Sequence, residues 1–448
     1  MNKKKLIQSF CVALMIAFLP MAAESAEKKP NVLFLFADDM RADTIAALGD
    51  KVAKTPNIDS LVNRGISFTN AYCMGGNSGA VCTPSRNMML SGNAYFRWKD
   101  FKEGNRPKGM ISPGDGPNFP LSMKAAGYET YHHGKRGNTA PLIQARFDHN
   151  KYLKNDDVER KSGEPGKEIA DEAIAFLRDR NSDKPFFMYL AFGNPHDPRV
   201  AAQKYLDQID SSRIQLPANF LPEHPFDNGE LKVRDEMLAP HPRPVDIMKK
   251  QWHEYYATQL GMDYHIGRIL EQLKSSGLFE NTIIVFSADQ GIALGSHGLL
   301  GKQNLYDHSM KSPLILAGPG IRNGNSDALV HLFDIYPTVV DLVGEKPSEK
   351  IDGRSFKAVI DGKSTKHREM LMLAYRDVQR AIVTPHDKLI YYPKVRKTQL
   401  FNRKMDPNEM KNLFDDPDEF DKWKELFRQL EIMQDQYGDD LELNPPGN

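Results

Sequence analysis

Asn31-Val32-Leu33-Phe34-Leu35-Phe36-Ala37-Asp38-Asp39 sets the fold class. A strand with one wet face alternates apolar and polar residues. The unbroken apolar run from Val32 to Ala37 instead reads as a strand buried on both faces, the pattern of a parallel sheet covered by helices. The run stops at two adjacent carboxylates. In open α/β sheets, ligands bind beyond the carboxyl ends of the strands. A single Asp there reads as a helix N-cap; the pair Asp38-Asp39 points to a cation site.

The same arrangement recurs along the chain. Residues 128–132 form a short strand ending in His133-Gly134-Lys135-Arg136-Gly137-Asn138. Residues 185–192 form another buried strand, followed by Asn194, His196, Asp197 and Arg199. Residues 281–288 make a third, which ends in Asp289-Gln290-Gly291 and leads to His297-Gly298 and Gly301-Lys302. Further strands are expected at 66–72 and 314–317. Helices are expected at 55–64, 119–126, 168–178, 244–275 and 334–343. On the longest of these, His253 and His265 read as structural. Segments 93–118 and 200–245 are rich in proline, glycine and polar residues, and read as loops shaping the active face. Strands alternating with helices predict an α/β fold with a large, mostly parallel sheet flanked by helices.

The texture changes towards the C-terminus. Short alternating runs at 369–375, 380–384, 388–392 and 399–402, then an amphipathic stretch at 419–437, predict a smaller subdomain with an antiparallel sheet and a helix. The expected division is a leader over 1–26, a catalytic α/β domain over 27–362 and a C-terminal α+β subdomain over 363–448.

One further stretch carries chemistry: Val81-Cys82-Thr83-Pro84-Ser85-Arg86-Asn87-Met88-Met89-Leu90-Ser91-Gly92. Pro84 and Ser85 suit the first turn of a helix, and Gly92 suits its end. Cys82 then sits at a helix N-terminus, one turn from Arg86. Both features favour an anion, so Cys82 reads as a reactive thiolate or as something made from one.

Lys3, Lys4 and Lys5 followed by an apolar run to about residue 23 read as a secretory signal peptide, cleaved within 23–26. No later stretch is apolar enough to span a bilayer. A periplasmic or secreted protein is expected, free of the membrane after processing. The 59 basic and 59 acidic side chains balance, with no basic stripe, which argues against a nucleic-acid partner. Cys73 and Cys82 are the cysteines beyond the leader. A disulfide between them would close a short loop, and a chemical role for Cys82 is the preferred reading.

If the parallel sheet is right, Asp38, Asp39, Lys135, His196, Asp289 and Gln290 meet at one edge, joined by Cys82, Arg86 and Lys302. Three carboxylates and an amide suit a hard cation, Ca²⁺ or less favourably Mg²⁺, rather than zinc. Fixed positive charges around a nucleophile suit hydrolysis of a phosphate or sulfate ester.

At this point the chain resembles a known family, the type I sulfatases of the alkaline-phosphatase superfamily. The resemblance is carried by Asp38-Asp39, Cys82-Thr83-Pro84-Ser85-Arg86 with Leu90-Ser91-Gly92, Gly134-Lys135, His196, Asp289-Gln290-Gly291, His297-Gly298 and Gly301-Lys302. A closing pattern from Leu400-Phe401-Asn402 through Asp406-Pro407 to Asn412-Leu413 completes it. The resemblance implies that a separate maturation enzyme oxidises Cys82 to formylglycine, whose hydrate attacks sulfur and later expels sulfate. It implies a Ca²⁺ ion held by Asp38, Asp39, Asp289, Gln290 and residue 82. Arg86 would orient the hydrate, Lys135 and Lys302 would grip sulfate oxygens, and His196 would act on the leaving oxygen.

A sulfated carbohydrate is the expected substrate. Asp197 and Arg199 are candidates for sugar hydroxyls and a second acidic group, and Asn138 and His297 are further substrate-binding candidates. One departure stands out. The family pattern Gly-Lys-Trp-His is here Gly134-Lys135-Arg136-Gly137, so the histidine serving as base in the elimination step is absent. Asn138, His132 and His133 are the nearby substitutes. The alternatives are a phosphonate monoester or phosphodiester hydrolase of the same superfamily, and a non-catalytic binder of sulfated glycans.

Overall fold

In the computed structural model, which describes residues 28–101 and 110–444, the apolar run is the strand Asn31–Asp38, buried throughout. The expected leader lies outside the described residues. Val32, Phe34 and Phe36 point into one core, and Leu33, Leu35 and Ala37 into another. Both faces are covered, so nothing imposes alternation on the sequence.

This strand is central in an eight-stranded sheet ordered Gly324–Ser326, Gly65–Phe68, Leu314–Ala317, Thr282–Ala288, Asn31–Asp38, Phe186–Pro195, Glu129–Gly134, His149–Tyr152. From Thr282–Ala288 to His149–Tyr152 every pairing is parallel. Leu314–Ala317 runs antiparallel to both neighbours. The parallel block brings residues 38, 134, 195 and 288 to one edge, where the polar residues follow.

Helices Pro56–Val62, Lys167–Asp179 and Val245–Ser275 cover one face. The long helix contributes Met262, Ile266, Ile269, Leu270 and Leu273 to that core. Full burial of each such aliphatic side chain is worth about 1.5–3 kcal/mol. His253 bonds the carbonyls of Leu206 and Ile209, and His265 meets Glu164, so both are structural. Helices Cys82–Ser91, Phe119–Ala125 and Ile335–Leu342 cover the opposite face.

The second sheet is antiparallel through Leu371–Tyr375, Gln379–Val383, Asp387–Tyr392 and Lys397–Asn402. Helix Phe420–Tyr437 lays Leu426, Phe427, Leu430, Met433 and Tyr437 on the shared core. Gly75–Gly76 adds to this sheet in parallel, hooking the segment before Cys82 onto it. Gly75 has φ +101°, and any Cβ there would clash with the Ala374 carbonyl, so only glycine fits.

Three of the departures from expectation are instructive. The run at 66–72 splits into Gly65–Phe68 and Ala71–Tyr72, the latter pairing with Val330–His331. The edge strand His149–Tyr152 was not anticipated, because its exposed His-Asn-Lys-Tyr carries no apolar pattern. The short helix Asp156–Lys161, capped by the Asn155 side chain, falls outside the 168–178 periodicity. Cys73 and Cys82 are both free and buried, with no disulfide between them. Among the described residues no helix is long and apolar enough to cross a membrane.

Candidate active site

Cys82 opens the helix Cys82–Ser91, which Gly92 closes at φ 72°. The helix is tied to the central sheet by its own side chains. Ser85 Oγ donates to the Asp289 carbonyl at 2.6 Å, and Arg86 Nε donates to Asp289 Oδ2 at 3.0 Å. Arg86 is wholly buried over the Phe36 ring, 5.1 Å from its centroid, and also stands 3.6 Å from Asp38 Oδ2.

Asp38, Asp39, Cys82 and Asp289 each offer one atom within 4.8 Å of the others, all buried. Asp39 reaches this position with φ at 60°, a region costing most residues about 1–3 kcal/mol but one that aspartate tolerates better than most. Its N–H donates to Asp289 Oδ1 at 3.1 Å, which fixes the turn. Gln290 Nε2 donates to Asp39 Oδ1 at 2.7 Å and to Cys82 Sγ at 3.0 Å. Gln290 Oε1 is buried without a hydrogen-bond partner.

These residues fit a hard cation. Three carboxylates converge with an amide whose oxygen is unpartnered, and a half-turn of that amide presents the oxygen to the same point. The donors of this set are oxygens apart from the sulfur of Cys82; His196 also comes within reach of Asp38 and Cys82, but the three carboxylates dominate the site.

The electrostatics follow from burial. Burial, then the Asp38 carboxylate, pushes Asp289 up from the usual carboxylate range, while Arg86 and Lys135 oppose this. Asp38 is held well below that range: burial opposes ionisation, but Lys135, His196 and Arg86 outweigh it. Burial, Asp289 and Asp38 push the Cys82 thiol well above its ordinary value. Burial and the two carboxylates thus oppose the thiolate that the helix N-terminus and Arg86 would favour.

Lys135 Nζ pairs with Asp38, and Lys302 Nζ donates to both Asp39 oxygens at 2.9 and 2.8 Å. Burial disfavours a charged Lys302, but Asp39 and the neighbouring anions hold it protonated. His196 follows the strand Phe186–Pro195. Its Nδ1 donates to the Asp197 carbonyl at 2.6 Å, and Nε2 stands 3.7 Å from Asp39 Oδ2. Burial and then Lys302 lower its basicity, so the resting imidazole is neutral with its lone pair on Nε2.

Above these groups lies a cleft of about 360 Å³. Lys135, His196 and Lys302 line it, with Asn138, Asp156, Arg160, Arg234, Asp235 and Gln303 around them. The structure thus brings together Asp38, Asp39, Cys82, Arg86, Lys135, His196, Asp289, Gln290, Lys302 and Asn138.

Three other expected residues do not line the cleft. Asp197 faces Arg234 in a bidentate pair. Arg199 turns away, donating to Gln251 Oε1 at 2.9 Å and lying over Tyr255. His297 stacks on Tyr306 at 3.9 Å and bonds the Glu409 carbonyl, outside the cleft lining. Neither histidine near the Gly137 departure lines the cleft. His132 is buried between Asn150 and Gln144, and His133 faces Glu172, Glu168 and Lys151. The Asp156 carboxylate instead caps the Gly137 turn, accepting from the amides of Arg136 and Gly137.

Asp156, Arg160, Arg234, Asp235 and Gln303 were missed by sequence reasoning. The polar, irregular 200–245 segment was expected over the active face, and that was the available signal for Arg234 and Asp235.

A doubly covered parallel sheet with carboxylates, a helix-borne Cys82 and fixed cations at its carboxyl edge defines a hydrolase of anionic esters. Residues 30–345 match the family described as Sulfatase, and residues 295–436 match one described as N-sulphoglucosamine sulphohydrolase, C-terminal. The chain belongs to the sulfatase family, within the alkaline-phosphatase superfamily, and is a sulfuric ester hydrolase. It is 28% identical to an N-acetylglucosamine-6-O-sulfatase of Bacteroides thetaiotaomicron, over 95% of this chain and 90% of that one. A solved structure described as bound to its substrate D-glucosamine-2-N,6-O-disulfate superposes with TM-score 0.75 at 27% identity, covering 92% of this chain and 99% of that one. The phosphonate monoester hydrolase of Agrobacterium radiobacter shares the fold, with TM-score 0.74 at 21% identity, covering 91% and 96%.

Proposed function

We propose that this chain hydrolyses sulfate esters on a sulfated carbohydrate, using formylglycine made from Cys82 and a Ca²⁺ ion. The observation that carries this reading is the position of Cys82. Its sulfur lies 3.2 Å from Asp38 Oδ1 inside the carboxylate cluster, at a helix N-terminus, where burial and the carboxylates oppose a thiolate. A precursor has a use for that position and an unmodified thiol has none.

Asp38, Asp39, Asp289 and Gln290 would hold the cation. When present, the cation supplies positive charge against the ester oxygens, and the hydrated aldehyde supplies the attacking oxygen. The remaining chemistry belongs to the chain's own side chains. Lys135 and Lys302 present ammonium groups at the inner end of the cleft, where they bind and orient the sulfate. Arg86 holds Asp289 and keeps Nη1 buried without a hydrogen-bond partner, one turn along the helix from Cys82. His196 keeps its proton on Nδ1, fixed by the Asp197 carbonyl. The arriving anion favours protonation of Nε2, which can then donate to the leaving oxygen.

The cleft supports a sugar rather than an aryl group. Gly79, Ala80, Gly137 and Val233 line it without polar side chains, and the other lining side chains are polar or charged. The related N-acetylglucosamine-6-O-sulfatase supports the same substrate class. Lys3 to Lys5 and the apolar run after them support export to the periplasm or beyond, with a maturation enzyme as partner.

The test is sulfate release from defined sulfated mono- and oligosaccharides by protein coexpressed with a formylglycine-generating enzyme, with calcium present. Phosphodiesters and phosphonate monoesters form the comparison arm. Turnover of a sulfated sugar above both supports the proposal; a clear preference for the phosphorus esters overturns it.

A further inference from the structure

Arg234, Asp235 and Glu236 are consecutive, lie in the irregular segment before the long helix, and bear on both walls of the cleft. Arg234 is 60% exposed, yet its guanidinium grips Asp197 through both Nη atoms, Nη1 to Oδ1 at 2.8 Å. Asp197 is the residue whose carbonyl fixes His196 Nδ1 at 2.6 Å, and its Oδ1 lies 3.4 Å from the same nitrogen. Arg234 thus holds the imidazole from behind.

Asp235 reaches the other wall. It accepts from Gln303 Nε2 at 2.8 Å, and its Oδ2 stands 3.8 Å from Lys302 Nζ. Gln303 Oε1 in turn accepts from the Lys302 amide at 3.0 Å. Arg234 Nη1 also donates to Asp235 Oδ1 at 3.0 Å, joining the two arms. Glu236, 2% exposed, accepts from the amides of Leu300 and Gly301 just before Lys302 and pairs with buried Arg243. Each of these acidic side chains is spent on a group that carries Lys302.

We propose that Arg234-Asp235-Glu236 is a positioning clasp that sets the separation of His196 from Lys302, with Arg234 acting on the imidazole through Asp197. The clasp rests on the reading that His196 serves the leaving oxygen and Lys302 the sulfate. These groups must sit at a defined distance across one ester, and a misplacement of about 1 Å can cost on the order of 10²-fold in rate. One cation followed by two anions at consecutive positions is a compact way to fix both walls from one loop.

The discriminating measurement uses two substrates. A sugar alcohol must be protonated as it leaves, whereas an acidic phenol leaves without help. Loss of the His196 position therefore penalises the sugar sulfate and spares an aryl sulfate such as 4-nitrophenyl sulfate. For Arg234→Met, the kcat for the sugar sulfate falls about 10²-fold with KM little changed, while the aryl sulfate falls only a few-fold. Arg234→Lys recovers part of the loss, because it restores the charge without the bidentate fork. Asp197→Asn keeps the carbonyl and breaks the same grip, so it shows the same split. The double variant is then no worse than either single one. Equal losses on the two substrates, no loss on either, or additive losses would overturn the clasp. Failure of the parent enzyme on both substrates would instead overturn the proposed sulfatase reaction.

Discussion

Cys82 Sγ and Asp38 Oδ1 lie 3.2 Å apart, both fully buried, at the junction of a helix start and a strand end. Burial, Asp289 and Asp38 oppose the thiolate form of a sulfur so placed. Cys82→Ser changes little volume and no charge, so the protein stays folded. Sulfate-ester hydrolysis falls by on the order of 10⁴-fold or more, as for loss of other covalent nucleophiles. Steady-state rates together with a thermal melt check this. A Ser variant retaining most activity in a host that modifies only cysteine would contradict the assigned role.

Under the proposed calcium site, added calcium is expected to stabilise the protein, because the carboxylate cluster is assembled in the folded state alone. At a hundredfold excess over Kd, a single site stabilises by about 2.7 kcal/mol. Denaturant melts with and without calcium read this directly, independently of turnover. Asp39→Asn removes most of the gain. Magnesium gives less, since it demands tighter octahedral geometry than a flexible carboxylate–amide set provides.

Arg86 is the positive charge that offsets Asp289 and, more distantly, Asp38. Arg86→Met leaves buried Asp289 without its direct ion-pair partner, Asp38 keeping Lys135, and destabilises the fold by about 3–5 kcal/mol. Saturating calcium recovers part of this, because the ion supplies the missing charge. Urea denaturation at two calcium concentrations tests both statements. A melting midpoint unchanged by the substitution would show that Arg86 is not the main compensating charge.

Away from the site, Asp263 on the long helix is raised to about 6 by burial, although it accepts from the amides of Asn57 and Ile58 at 3.1 and 2.8 Å. Its folded-state value lies above the unfolded value of about 3.9. Its contribution to stability is therefore complete below about pH 4 and is lost as pH rises through about 6. The change is up to about 3 kcal/mol over that window. Unfolding free energies of the parent and Asp263→Asn, compared between pH 4 and pH 7, measure it. The parent loses more stability than the variant on going up in pH; the opposite order would refute the assignment.

The residues legible in the sequence are those that follow a buried parallel strand. Asp38, Lys135, His196 and Asp289 each come at or just after such a run, and parallel pairing carries them to one edge. Cys82 and Arg86 are legible because helix capping places them. Arg234 and Asp235 have no such frame. Their segment follows neither a strand nor a helix period, so only the folded chain shows that they meet Asp197 and Gln303. Arg199 and His297 show the opposite case. Both sit close in sequence to site residues, yet the backbone turns Arg199 toward Tyr255 and stacks His297 on Tyr306. Gly137 was legible as a departure, and its partner Asp156 was not, because it lies in the unanticipated helix Asp156–Lys161.

Mass spectrometry of the peptide spanning residue 82 tests the proposed chemistry most directly. Protein from a host with the maturation enzyme should carry an aldehyde at residue 82, about 18 mass units below cysteine, as replacement of SH and H by a carbonyl oxygen requires. That species should rise in proportion to sulfate-ester turnover across preparations. Intact thiol at residue 82 in fully active protein would contradict it.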